Sequence, residues 1–301
     1  VNFITKTPPM KTEFKATLGS GYNAKADKGV YNLGLLYGGR TKDKKFGYLF
    51  NFAHFIRNWS TDNFEARRSG DEGVFRLELR DYNGVRKTTG INAAFEYVLS
   101  PKNTFYLKGM YGTLSDDETH YKHRIRFDKF SSANNTARVE LQNIHNLLIT
   151  ELTSVSLGGI HSLSKGKIDW DLSYYDNRFK YGNIPDKQNN SYYVIKYTQS
   201  GVGINPDYIS DHGNGPRAYW KADGGKLDYK NPDALFGFYS DPNFKMDATK
   251  MRFTDLEFYK VFVEEKDKIV AAFNHEINTS DKLTLKYGLK YRDKERNARF
   301  S

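Results

Sequence analysis

Apolar and polar residues alternate with a period of two along much of this chain. In 283–291 (LTLKYGLKY), Leu283, Leu285, Tyr287, Leu289 and Tyr291 share one parity, while Thr284, Lys286, Gly288 and Lys290 share the other. In 168–174, Ile168, Trp170, Leu172 and Tyr174 oppose Asp169, Asp171 and Ser173. The same rhythm runs through 91–99, on Ile91, Ala93, Phe95, Tyr97 and Leu99, and through 46–53, on Phe46, Tyr48, Phe50 and Phe52. Successive side chains on a strand point to opposite faces, so each segment reads as a strand with one apolar and one polar face. Nine strands are predicted, at about 12–23, 30–40, 45–58, 86–100, 104–127, 138–163, 168–180, 253–278 and 282–296.

The links between strands are sorted by length. Short polar links stand at 41–45 (TKDKK), 100–103 (SPKN), 164–167 (SKGK) and 279–282 (TSDK). Long polar stretches lie near 59–85, 116–137 and 181–250. The first holds a further strand-like run at 74–80 (VFRLELR), and the last is long enough to require structure of its own, folded over a barrel mouth. Tight turns at one end and long loops at the other are what a transmembrane β-barrel produces. A soluble β-sandwich also alternates. Here, however, the apolar face is large and aromatic, and the other carries Asp, Lys, Glu and Asn beside Gly, as a hydrated interior would. The fold class expected is therefore all-β: an antiparallel transmembrane β-barrel with long extracellular loops. Several strands exceed the roughly 9–11 residues that cross a bilayer and would project as ribbons. Nine is an odd number, so the first and last strands run parallel and cannot close as an even-numbered bacterial barrel does. Open edges in hydrocarbon cost several kcal/mol per unpaired group. A partial barrel, cut from a larger one, is the expectation.

Composition adjusts this picture in three places. Aromatic residues make up 15%, with 22 Tyr and 21 Phe, which suits strands and bilayer-surface girdles. No run of 18 apolar residues exists, so a helical span is excluded, and the mean hydropathy of −0.72 is that of a wall with one polar face. With no Cys, disulfides and thiolate metal sites are excluded. The net charge of +10 is scattered among 36 acidic residues and never gathers into a stripe, so no nucleic-acid partner is expected. The start, VNFITK, lacks an initiator Met and a signal peptide, which implies a removed leader or a piece of a longer chain.

Val1-Asn2-Phe3-Ile4-Thr5-Lys6-Thr7-Pro8 closely resembles the V-N-I-I-T-K-x-P pattern that ends the plug domain of TonB-dependent outer-membrane receptors. The resemblance implies that residues 1–8 are the last plug strand, 9–11 a linker, and 12–301 the N-terminal portion of a 22-stranded barrel. The Tyr-, Asn- and Lys-rich composition is similar to Bacteroidetes-type receptors. It further implies a cell outer-membrane location and import of a scarce ligand (siderophore, vitamin, glycan or peptide) by energy-coupled plug movement. The implied partners are the TonB complex, reached through an N-terminal region absent here, outer-membrane lipid and a lipoprotein. No enzymatic activity and no cofactor are implied. The competing readings are an outer-membrane barrel enzyme, a porin, or a soluble secreted glycan-binding β-protein.

The segment 207–220 (DYISDHGNGPRAYW) joins Gly/Pro turns, charge and aromatics within the longest loop. Aromatics stack on sugars or aromatic chelators and charged groups fix a polar end, so Asp207, Tyr208, Asp211, His212, Arg217, Tyr219 and Trp220 are the ligand-binding candidates. The simpler reading of the same residues is a loop minicore or an interface girdle, and it carries twice the weight. His120 and His123 follow Asp116, Asp117 and Glu118, a composition that invites metal, but positions three apart on a strand face opposite ways, so no metal site is expected. His275-Glu276 lacks the second His of a zinc-protease helix. No P-loop, nucleophile elbow or dinucleotide fingerprint is present, and no catalytic residue is assigned.

Overall fold

The computed structural model describes residues 6–68, 73–182, 191–211, 216–218, 239–280 and 282–300. Its strands are β1 (Glu13–Asn23), β2 (Lys28–Arg40), β3 (Phe46–Arg68), β4 (Val74–Ser100), β5 (Asn103–Ser131), β6 (Thr136–Leu163), β7 (Gly166–Gly182), β8 (Ser191–Gly203), β9 (Ile209–Asp211), β10 (Pro216–Ala218), β11 (Arg252–Ser280) and β12 (Leu283–Phe300). All belong to one antiparallel sheet, an open meander in the order β1-β2-β3-β4-β5-β6-β7-β11-β12. Among the described residues no helix is long and apolar enough to cross a membrane, which leaves crossing by strands untouched.

β8 takes up the line that β7 leaves. β7 pairs with β6 as far as Leu147↔Gly182, and β8 resumes against β6 from His145↔Tyr193. On the other side, β11 meets Lys180 at Phe262 and Ser191 at Lys260. The sheet thus has nine lines, the seventh made of β7 and β8.

Two of the expected loops are strand. Residues 59–68, 74–85, 116–131 and 136–137 belong to β3, β4, β5 and β6, which run to 23, 27, 29 and 28 residues. The turn between β5 and β6 occupies only 132–135. At about 3.3 Å per residue, β4 alone is on the order of 90 Å long. Alternation fades in these stretches because both faces there carry polar groups, as in RDYNGVRK and SDDETHYKHR, so hydropathy reads them as loop. The stretch 181–250 holds structure of its own, as its length requires, in β8, β9 and β10.

Cross-strand register aligns the alternation of separate strands into continuous rows. One row runs Phe46–Tyr97–Phe105–Gly159–Trp170–Phe273–Leu289 across seven lines. The adjacent row, on the opposite face, runs Arg40–Gly47–Glu96–Tyr106–Gly158–Asp171–Ala272–Lys290. The apolar face is open: Leu18 is 81% and Leu289 80% exposed, and Phe14, Tyr37, Phe50, Ile91, Leu107, Leu157, Leu172 and Phe273 are all exposed. These side chains lie near the end of the sheet that carries the turns at 41–45 and 101–102, called the lower end below.

Towards the upper end the same apolar face is covered. Leu77, Ile125 and Val139 stand in one row across β4–β6, and with Val74, Phe127, Ala137, Val202 and Ile204 they form a buried core. Ile209, Phe244, Met246 and Met251, from the chain between β8 and β11, pack onto it.

Candidate functional site

The polar face is concave at the lower end. Near the lower end Lys6, Asn51, Asn92, Tyr106, Lys108, Asp171 and Tyr175 line a hollow of about 680 Å³. Tyr106 donates to Asp171 Oδ2 at 3.2 Å and lies across Gly158, where a Cβ would come within 2.2 Å of its ring. The N-terminal segment lies on this face too. A Cβ at Gly47 would meet Pro8 at 2.7 Å, and one at Gly38 would meet Pro9 at 2.9 Å, so both glycines admit the close approach of the prolines. Arg40 donates to the Pro8 carbonyl at 3.4 Å and pairs with Glu96.

Further up the same face, register stacks three charged rows. Arg67, Arg76, Arg126 and Arg138 stand directly opposite one another on β3, β4, β5 and β6. The next row is Glu65–Glu78–Arg124–Glu140, and the third is Asn63–Arg80–Lys122–Gln142. Seven cations thus meet three carboxylates, with Asp128 a fourth beyond the arginine row. Glu78 is fully buried among Arg76, Arg80 and Arg124, the last at 3.1 Å. Burial alone would raise its carboxyl, but the hydrogen bond from Arg80 and the surrounding positive charge outweigh that and hold it below its ordinary value. Glu140 pairs with Arg126 at 3.2 Å and Arg124 at 3.7 Å, and Arg126 pairs with Asp128 at 2.7 Å.

Two cations of this face are left over. Lys122 and Arg138 make no ion pair or hydrogen bond among the described residues. Burial first, then the charges of Arg124 and Arg80, bring the Lys122 ammonium down to about 8. The buried Nε–H of Arg138 also lacks an acceptor among the described residues, whereas the Nε–H groups of Arg76 and Arg124 meet Glu78 Oε1. Like charges set directly opposite on a sheet repel, so the arginine row is a cost that the fold carries.

The sequence-derived candidates lie elsewhere. Asp207 is exposed in a 3-10 turn whose cap, Asn205, accepts from the Asp207 N–H at 3.0 Å, and Tyr208 closes that turn. Asp211 ends β9 and Arg217 sits in β10, a two-strand ribbon joined to β4 at Ala218↔Val74. Ile209 of this ribbon packs on the core. His212, Tyr219 and Trp220 lie outside the described residues. His120 and His123 do face opposite ways: His120 contacts Glu118 at 2.6 Å and Tyr82, whereas His123 is hydrogen-bonded to Tyr239. His275 meets Tyr287 at 2.7 Å, and Glu276 faces Lys286 at 3.1 Å on the other side. Among the described residues no group of three or more metal-ligating side chains occurs.

The charged rows fell within stretches read as loops. A signal was present in RLELR and KHRIR, where charge alternates with apolar residues, but which charges share a face across four strands depends on register. No family model matches the chain, and neither curated proteins nor solved structures give a match.

Proposed function

We propose that this chain is wall of an outer-membrane β-barrel of the TonB-dependent receptor kind, a transporter of a scarce ligand. The observation that carries this reading is the in-register aromatic row from Phe46 to Leu289, exposed on one face while Arg40, Glu96, Tyr106, Asp171 and Lys290 share the other. An exposed apolar belt on a sheet of this size is costly in water and favourable against lipid chains. Strand lines longer than a bilayer needs then stand above the membrane as ribbons, with the apolar face covered by the chain's own residues once lipid no longer covers it. Pro8 and Pro9 on the concave face support a chain that arrives from the barrel interior, as it does after a plug. Both edges of the open sheet need partner strands before such a wall can sit in hydrocarbon. No cofactor or catalytic group enters this reading.

Cell fractionation tests it. The expected result is extraction from the outer membrane by detergent only, with a band that shifts on heating before electrophoresis. A monomer that purifies from the soluble fraction without detergent overturns it and leaves a secreted β-protein.

A further inference from the structure

We infer that the polar face of the upper ribbon, at the Arg67–Arg76–Arg126–Arg138 row and the Lys122 row beside it, binds a compact soluble polyanion bearing several phosphate or carboxylate groups. The inference names the ligand class of the proposed transporter and rests on that reading for the direction from which the ligand arrives.

Four arginines on four successive strands spring from backbone positions about 4.8 Å apart, close enough for their long side chains to converge on one multiply charged anion. Guanidinium is the side chain best matched to carboxylate and phosphate oxygens, through paired N–H donors. Glu65, Glu78, Glu140 and Asp128 neutralise part of the row. They leave Arg138 and Lys122 without an ion pair or hydrogen bond among the described residues, the buried Nε–H of Arg138 included. A network meant only to brace the ribbon would end with its charges matched. This one ends in surplus positive charge on the face that lies opposite the exposed aromatic belt, so lipid phosphate is the wrong source of the anion and a ligand in water is the right one.

The test is calorimetric titration of the detergent-purified protein with inorganic tripolyphosphate and, separately, citrate at low salt. Saturable binding of one of them is expected, weakened at least about tenfold by Lys122→Gln or Arg138→Gln, as removal of one charge-assisted contact implies. Arg138→Lys, which keeps the charge, recovers part of the loss, and Lys42→Gln, in the lower turn at 41–45, changes nothing. No saturable binding of either anion, or an affinity in both Gln variants unchanged from that of the parent protein, overturns the inference. Melting temperatures without anion separate binding from bracing: a fall in both Gln variants with affinity unchanged assigns the row to the fold alone and overturns it. Repeating the titration in phosphatidylcholine and phosphatidylglycerol nanodiscs distinguishes the sources. Equal affinity in both supports a soluble ligand, and loss of binding in phosphatidylglycerol overturns it in favour of lipid phosphate. Detergent dependence is read separately, so a membrane protein that binds no anion and a soluble protein that does are told apart.

Discussion

Tyr106 and Gly158 show how closely single residues are fitted on the concave face. The ring crosses the glycine to reach Asp171, and the Trp170 carbonyl stands 2.6 Å from where a Cβ at Gly158 would lie. Gly158→Ala therefore forces the ring off its hydrogen bond and presses on backbone that cannot yield. A loss of about 1–3 kcal/mol is expected, read as a lower unfolding temperature in detergent. Lys122 gives a second prediction. It faces Arg80 from β4 and Gln142 from β6, with Arg124 and Glu78 beside it, and titrates near 8 instead of its usual range about 10.4. The folded state holds this proton less firmly than the unfolded state, so a destabilisation fully present below pH 8 is relieved as pH rises towards about 10.4. Lys122→Gln is expected to raise the melting temperature at pH 7. A bound polyanion would favour the protonated form, so affinity for tripolyphosphate should fall as pH rises through about 8.

At the scale of elements, residues 239–251 meet the ribbon at a half-buried histidine. His123 shares its row with Phe64, Leu79, Leu141 and Tyr197 and meets the Tyr239 hydroxyl, and burial holds the imidazole down to about 4. The same burial pushes the Tyr239 phenol up. An imidazole depressed in the folded state costs stability as pH falls from about 6.5, its unfolded value, towards 4. Hydrogen exchange in 239–251 is expected to speed up over that window. In His123→Leu, which keeps an apolar contact and removes the proton site, the acceleration should vanish. Exchange that does not depend on pH in the parent protein would mean that the histidine does not govern docking of this segment.

For the whole molecule, the two faces of the sheet make opposite demands. If lipid covers the aromatic belt, Ile91→Arg places a charge in hydrocarbon and should cost about 2–4 kcal/mol, whereas Asn92→Arg, one residue away on the concave face, should be tolerated. Unfolding in detergent or lipid vesicles measures both. Equal effects of the two substitutions would remove the distinction between a lipid side and a water side on which the transporter reading depends. The open edges at β1 and β12 belong to this scale as well, since a wall with unpaired strands is stable in a bilayer only after further strands join it.

What the chain's order of residues determines by itself is local. Period-two alternation in LTLKYGLKY and its counterparts specifies strands, the short polar links specify hairpins, and the nine strands expected from it correspond to nine lines in the sheet. Strand ends were not legible, because 59–68, 80–85 and 116–124 lose their apolar parity where both faces carry polar groups, although pairing carries the strands through them. That β7 and β8 form one line is a matter of what each pairs with, and no local pattern records it. The candidate site divides the same way. Asp207, Asp211 and Arg217 drew attention because they crowd together in sequence, yet the structure sets them in a turn and a small ribbon at the top of the sheet. Arg76 and Arg126 are 50 positions apart along the chain and Arg67 and Arg138 are 71 apart, and only the register of four paired strands makes the four neighbours. Alternation is a property of one strand, whereas a row is a property of several.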